Sequence, residues 1–109
     1  MDFNQYQSAT LDTAIYPNVR HNWVYPLVGL LGESGELANK LKKVMRDDNM
    51  FITGEKRQEV IDELGDILWY VAMLATEFEV NLLTVAELNV SKLAQRKKNN
   101  TIHGAGDKR

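Results

Sequence analysis

The sequence predicts an all-α protein of roughly four helices, a helical bundle whose core is completed by oligomerisation. Three observations carry that expectation. Apolar residues recur at helical spacing along most of the chain. Strand-type alternation is absent over any useful length, the run Met50–Thr53 being a weak exception. The prolines, Pro17 and Pro26, both fall early and leave the rest free for long helices.

Asp2 with Gln5 forms a capping-box pattern, so a first helix is expected from there to about Ile15, with Phe3, Tyr6, Leu11 and Ile15 as a rough apolar stripe. The segment Tyr16–Pro26, YPNVRHNWVYP, is aromatic and bracketed by prolines, which reads as an ordered loop. A second helix is expected from about Leu27 to Arg46, on Leu27, Leu30, Leu31, Leu37, Leu41, Val44 and Met45. Its last turns hold Lys42, Lys43 and Arg46, which complement the helix dipole. Asp47–Gln58 reads as a polar connection. A third helix is expected over Glu59–Glu79, with Val60, Leu64, Ile67, Val71, Leu74 and Phe78 on one face and Asn81 taking the left-handed conformation that ends it. Thr84, with Glu87 in capping-box position, starts a fourth helix that runs to about Lys98. Residues 99–109, NNTIHGAGDKR, form a tail with little apolar material.

With 109 residues the chain suits a single domain spanning 1–109. Hydrophobic residues at 44% and charged residues at 26% give an ordinary globular balance, which argues against disorder. The absence of cysteine excludes disulfide scaffolds, zinc fingers and thiolate nucleophiles, and two histidines cannot build a multi-histidine metal site. A net charge of −2 does not advertise nucleic-acid binding. No basic-then-apolar leader opens the sequence and no apolar run approaches ~20 residues, so a soluble, cytoplasmic protein without a membrane partner is expected.

The third helix carries more apolar surface than a small monomer needs. At roughly 100° per residue, Ile61, Leu68, Ala72 and Ala75 widen its apolar arc to about half the circumference. Burial on two sides follows, and a second subunit is the expected cover.

The two central helices share a polar pattern that packing does not require. Glu33, Glu36 and Lys40 lie at offsets of 0, 3 and 7, and Glu63, Asp66 and Tyr70 repeat those offsets. Residues so spaced share one helix face. If the helices pair antiparallel through their apolar stripes, both trios flank one groove and four carboxylates converge. A single such acidic pair is usually a solvated face; the matched repeat is what argues for a site. Gathered, partly desolvated carboxylates repel, and a cation relieves them. Oxygen-only donors select Mg²⁺, Mn²⁺ or Ca²⁺, and Mg²⁺ on carboxylates commonly completes its shell with water and substrate phosphate. Glycines at 29, 32, 35 and 65 each cost about 1 kcal/mol in a helix, which points to close backbone approach around these acids or to a close-packed oligomer interface.

The stretches GLLGESGELANKLKK and EVIDELGDILWYVAML resemble the MazG-like nucleoside triphosphate pyrophosphohydrolases, an all-α superfamily with the signature EExxE followed by ExxD. Glu33-Ser-Gly-Glu36 and Glu63-Leu-Gly-Asp66 match it, with Gly32 standing where the signature has its first Glu, and TIHGAGDKR looks like the end of small MazG-like chains. The resemblance covers Pro26 to the C-terminus. It implies Mg²⁺-dependent hydrolysis of a (d)NTP between the α and β phosphates, giving monophosphate and pyrophosphate, Mn²⁺ being an expected substitute. It also implies a homo-oligomer, dimer or tetramer, with a site shared between subunits. Glu33, Glu36, Glu63 and Asp66 are then the expected metal ligands, and Glu33 or Glu36 the general base.

Around this centre, Lys40, Asn89, Arg96 and Lys97, with Lys98 beside them, are the expected phosphate contacts, although basic residues also suit helix C-termini for dipole reasons alone. His21, Trp23 and Tyr70, with Tyr25, are the expected base contacts, core packing being the plain alternative for Tyr70. Two competing readings are kept. A carboxylate-bridged di-iron protein would need Glu-x-x-His, which is absent. A non-catalytic helical interaction module would retain the fold without binding metal.

Overall fold

The computed structural model describes all 109 residues and is entirely helical, with no strand. Four helices follow in order: α1, Phe3–Leu11; α2, Val24–Asp47; α3, Gly54–Glu77; and α4, Leu82–Lys98. α2 and α3 form the principal pair; α1 packs on α3 and α4, and α4 touches α3 but not α2. Lys40 pairs with Glu63, while Gly29 lies against Tyr70. Positions that advance along α2 therefore meet positions that retreat along α3, as an antiparallel pair requires.

The expected capping box is present at α1, where Gln5 N–H donates to Asp2 Oδ1 at 2.8 Å and Asp2 N–H to Gln5 Oε1 at 2.7 Å. The helix stops at Leu11, four residues short of Ile15. Thr10 and Thr13 hydroxyls donate to the carbonyls of Gln7 and Thr10, a local alternative to helix continuation. α2 begins at Val24, inside the expected loop: Pro26 falls in its first turn, where a missing N–H costs nothing, and Asn22 Oδ1 accepts from Tyr25 N–H at 3.2 Å.

Three further boundaries differ from expectation. α3 starts at Gly54 rather than Glu59, because Thr53 Oγ1 accepts from Lys56 N–H at 3.0 Å and Glu55 places acid in the first turn. The left-handed residue after α3 is Glu79 (φ 57°), while Asn81 is extended and precedes α4. Thr84 does not cap α4. That helix starts at Leu82, and its first amides are capped from α1: Leu82 N–H donates to Gln7 Oε1 at 2.8 Å and Leu83 N–H to Asn4 Oδ1 at 3.4 Å.

The buried apolar residues are few: Tyr16, Pro26, Val44, Ala72, Met73, Ala75 and Leu82. Of the four α3 residues expected to need a second cover, the chain itself buries Ala72 and Ala75, whereas Ile61 and Leu68 stay open. Leu64 and Phe78, expected on the packed stripe, are also open, as are Val28 and Leu31 on α2. The chain exposes 8030 Å², against about 6,100 Å² for a compact monomer of its mass. Its radius of gyration is 16.8 Å, against about 13 Å for a compact domain of this length. No helix is long and apolar enough to cross a membrane.

Candidate active site

Midway along the α2–α3 pair, carboxylate oxygens of Glu33, Glu36 and Glu63 lie within 4.8 Å of one another. Glu33 and Glu36 come from adjacent turns of α2, and Glu63 faces them from α3. Glu63 is only 7% exposed. Its Oε1 accepts from Lys40 Nζ at 2.9 Å, while its Oε2 is buried without a donor, as is Oε2 of Glu33. An orphaned buried acceptor is costly, more so when charged. The two acids face one another as acceptors, so a proton or a cation has to come between them.

The electrostatics follow this geometry. Burial pushes the Glu33 carboxyl up to about 7, aided by the facing Glu63 carboxylate and by the charges of Glu36 and Asp66. Lys40 holds Glu63 below its ordinary value, and Glu63 in turn holds the Lys40 ammonium above its own. The donors are all oxygen, three carboxylates converge, and two of their oxygens lack partners. Those features fit a hard divalent cation.

Asp66 lies one turn beyond Glu63, outside the tight trio. With Glu33, Thr13, Trp69 and Tyr70 it lines an adjoining groove of ≈310 Å³. Tyr70 stands edge-on to Trp69 (centroids 5.1 Å, 86°), and Trp69 Nε1 donates to Thr13 Oγ1 at 2.9 Å. Gly29 is what admits Tyr70: a β-carbon there would overlap the ring. Close approach within the chain accounts for this glycine alone. Gly32, Gly35 and Gly65 meet open space within the chain, so close approach inside one subunit does not account for them and the interface explanation stays open.

Other expected contacts lie apart from the trio within one chain. Trp23 packs on Phe78 (centroids 6.4 Å), and Phe78 is about 18 Å along α3 from Asp66. Tyr25 stacks on Tyr16 at 4.6 Å, while His21 is exposed. Asn89, Arg96 and Lys97 ride on α4, which does not reach α2. Asn89 and Lys97 are exposed. Arg96 is buried and holds the tail, its Nη2 donating to the Asp107 carbonyl at 3.0 Å and to Asp107 Oδ1 at 3.3 Å.

Glu77 was not singled out from the sequence, yet it fastens the aromatic loop. Its carboxylate accepts from Tyr16 Oη at 2.8 Å and from the N–H groups of Arg20 and Asn22. Burial pushes its carboxyl up, but these donors prevail and hold it below the ordinary range. A lone acid at the end of an amphipathic helix carries no local sign of such partners.

An all-helical chain in which acids of two antiparallel helices converge defines the class as a helical protein with a carboxylate cluster able to hold a metal ion. The particular family is shown by comparison: residues 26–101 match the MazG nucleotide pyrophosphohydrolase domain, and the chain belongs to that family. Gene 37 protein of Mycobacterium phage L5 is 46% identical over 114 residues, covering all of both chains. The YvdC protein of Bacillus subtilis (strain 168) is 32% identical over 72 residues, 62% of this chain and 68% of that protein. No solved structure gives a significant match. Family membership points to nucleotide pyrophosphohydrolase activity, and the carboxylate cluster is one that can hold a metal ion.

Proposed function

We propose that this protein hydrolyses a nucleoside triphosphate at the α–β phosphoanhydride, releasing the monophosphate and pyrophosphate. The observation that carries the proposal is the convergence of Glu33, Glu36 and Glu63 with two buried oxygens left without partners. Glu33, Glu36, Glu63 and Asp66 would hold Mg²⁺, with Mn²⁺ as a substitute. A divalent cation bound there supplies charge neutralisation for the triphosphate. In the hydrolytic step a water oxygen forms a bond to the α-phosphorus, the bond to the α–β bridging oxygen breaks, and pyrophosphate leaves with that electron pair.

The proton of the attacking water goes to a carboxylate, and Glu33, which borders both the cluster and the adjoining groove, is the candidate for that role. Glu36 is the neighbouring alternative. Tyr70 borders the groove and would meet the base. The phosphate contacts Asn89 and Lys97 and the base contacts His21 and Trp23 would come from a second copy in an assembly, while Arg96, buried on Asp107, would first have to release the tail. The surface exposed beyond that of a compact monomer supports a homo-oligomer, dimer or tetramer.

The test is a screen of the eight common (d)NTPs with Mg²⁺, resolving monophosphate from diphosphate. At least one substrate should give monophosphate and pyrophosphate in equal amounts. Stoichiometric inorganic phosphate without added pyrophosphatase rules the reading out.

A further inference from the structure

We infer that the Lys40 ammonium is the resident counter-ion of the carboxylate cluster and competes with a divalent cation for Glu63. The inference rests on the cluster being a divalent-cation site, as proposed above. Lys40 is one turn from Glu36 on the same helix, where an i, i+4 pair would be routine. Its Nζ instead crosses to α3 and sits 2.9 Å from Glu63 Oε1. The Lys40 side chain remains 38% exposed, while that of Glu63 is 9% exposed. The acid is therefore fixed in the packing and the ammonium, on a flexible four-carbon stem, is free to leave.

One ammonium also under-compensates the site. It satisfies one of the two Glu63 oxygens, and Oε2 of Glu63 and of Glu33 are buried with no donor. A divalent cation held by Glu33 and Glu63 would share Glu63 with the ammonium, and their like charges would repel. Metal entry and Lys40 departure are thus one exchange. The exchange frees a positive side chain at the rim of the site as metal arrives, where a substrate phosphate can take it up.

The experiment is a Mn²⁺ titration without nucleotide, by calorimetry, on the full chain as wild type, Lys40→Met, Lys40→Arg and Lys43→Met. Lys40→Met, which keeps length and removes charge, should tighten Mn²⁺ binding at least tenfold. Lys40→Arg should stay near wild type, and Lys43→Met, an exposed α2 cation not bonded to the cluster, should change affinity less than twofold. Equal or weaker binding by Lys40→Met overturns the inference, and so does an equal gain in Lys43→Met. If Lys40→Met fails to fold, ¹⁵N resonances of the wild-type lysine ammonium groups decide, with Lys40 assigned by its loss in Lys40→Arg. Its protons should be protected from solvent exchange without metal and exchange freely at saturating Mg²⁺; protection unchanged by Mg²⁺ overturns the inference. Absence of divalent binding in every variant overturns both this inference and the proposed function, whereas binding indifferent to Lys40 overturns this inference alone.

Discussion

Glu63 has one oxygen on Lys40 and the other on no donor, in a side chain the fold scarcely exposes. Glu63→Gln keeps its volume and removes its charge, as Asp66→Asn does for its neighbour on α3. Both variants should remain folded by circular dichroism and lose more than tenfold in turnover, over 1.4 kcal/mol of transition-state stabilisation. Retention of more than a tenth of the wild-type rate contradicts their assignment as ligands. Glu33 adds a pH signature. With its carboxyl raised from 4.5 to about 7, the metal-free folded chain holds a proton there that the unfolded chain has lost. Stability from this group therefore falls as pH rises between those values. Glu63 and Glu77, both lowered, act oppositely: their contributions are present above the unfolded carboxylate value and lost only as pH falls through their folded ones. In EDTA, Glu33 should lower the melting temperature from pH 5.5 to 7.5, and saturating Mg²⁺ should abolish that fall. A Glu33→Gln variant with the same pH slope as wild type contradicts the assignment.

At the scale of the helices, the α2–α3 seam depends on one small residue. Gly29→Ala forces its β-carbon into Tyr70. Overpacking of this kind costs about 1–3 kcal/mol, so the variant should melt several degrees lower, and its groove should bind nucleotide more weakly as Tyr70 shifts. An unchanged melting temperature contradicts the close packing. The seam also shows what the sequence made legible. Periodicity located both central helices and set four acids beside their seam, of which Glu33, Glu36 and Glu63 converge and Asp66 stands one turn outside. Boundaries were less legible. The start of α4 is set by Gln7 and Asn4 from a helix more than seventy residues earlier, and no local pattern reports that. The start of α3 lay inside the polar run Asp47–Gln58, where no apolar periodicity marks a helix. The Arg96–Asp107 contact is likewise tertiary, so a helix-terminal arginine offered no sign that it anchors the tail.

For the whole molecule the controlling quantity is surface. The chain leaves Val28, Leu31, Ile61, Leu64 and Leu68 open along its central pair and exposes about 1,900 Å² more than a compact monomer of its mass. Open apolar side chains lying together on one face drive association, and a closed symmetric oligomer covers them. Sedimentation at micromolar concentration should show a species heavier than the 12.4 kDa chain. Leu68→Lys should dissociate it, lower its melting temperature and reduce activity; a folded, active 12.4 kDa species contradicts this account of the surface. The central claim, that the carboxylate groove directs water onto the α-phosphorus, is tested most directly by hydrolysis in ¹⁸O-enriched water with Mg²⁺, followed by mass spectrometry of both products. The label should appear in the nucleoside monophosphate and not in pyrophosphate. Label in pyrophosphate, in a released orthophosphate, or in no product of any common (d)NTP contradicts it.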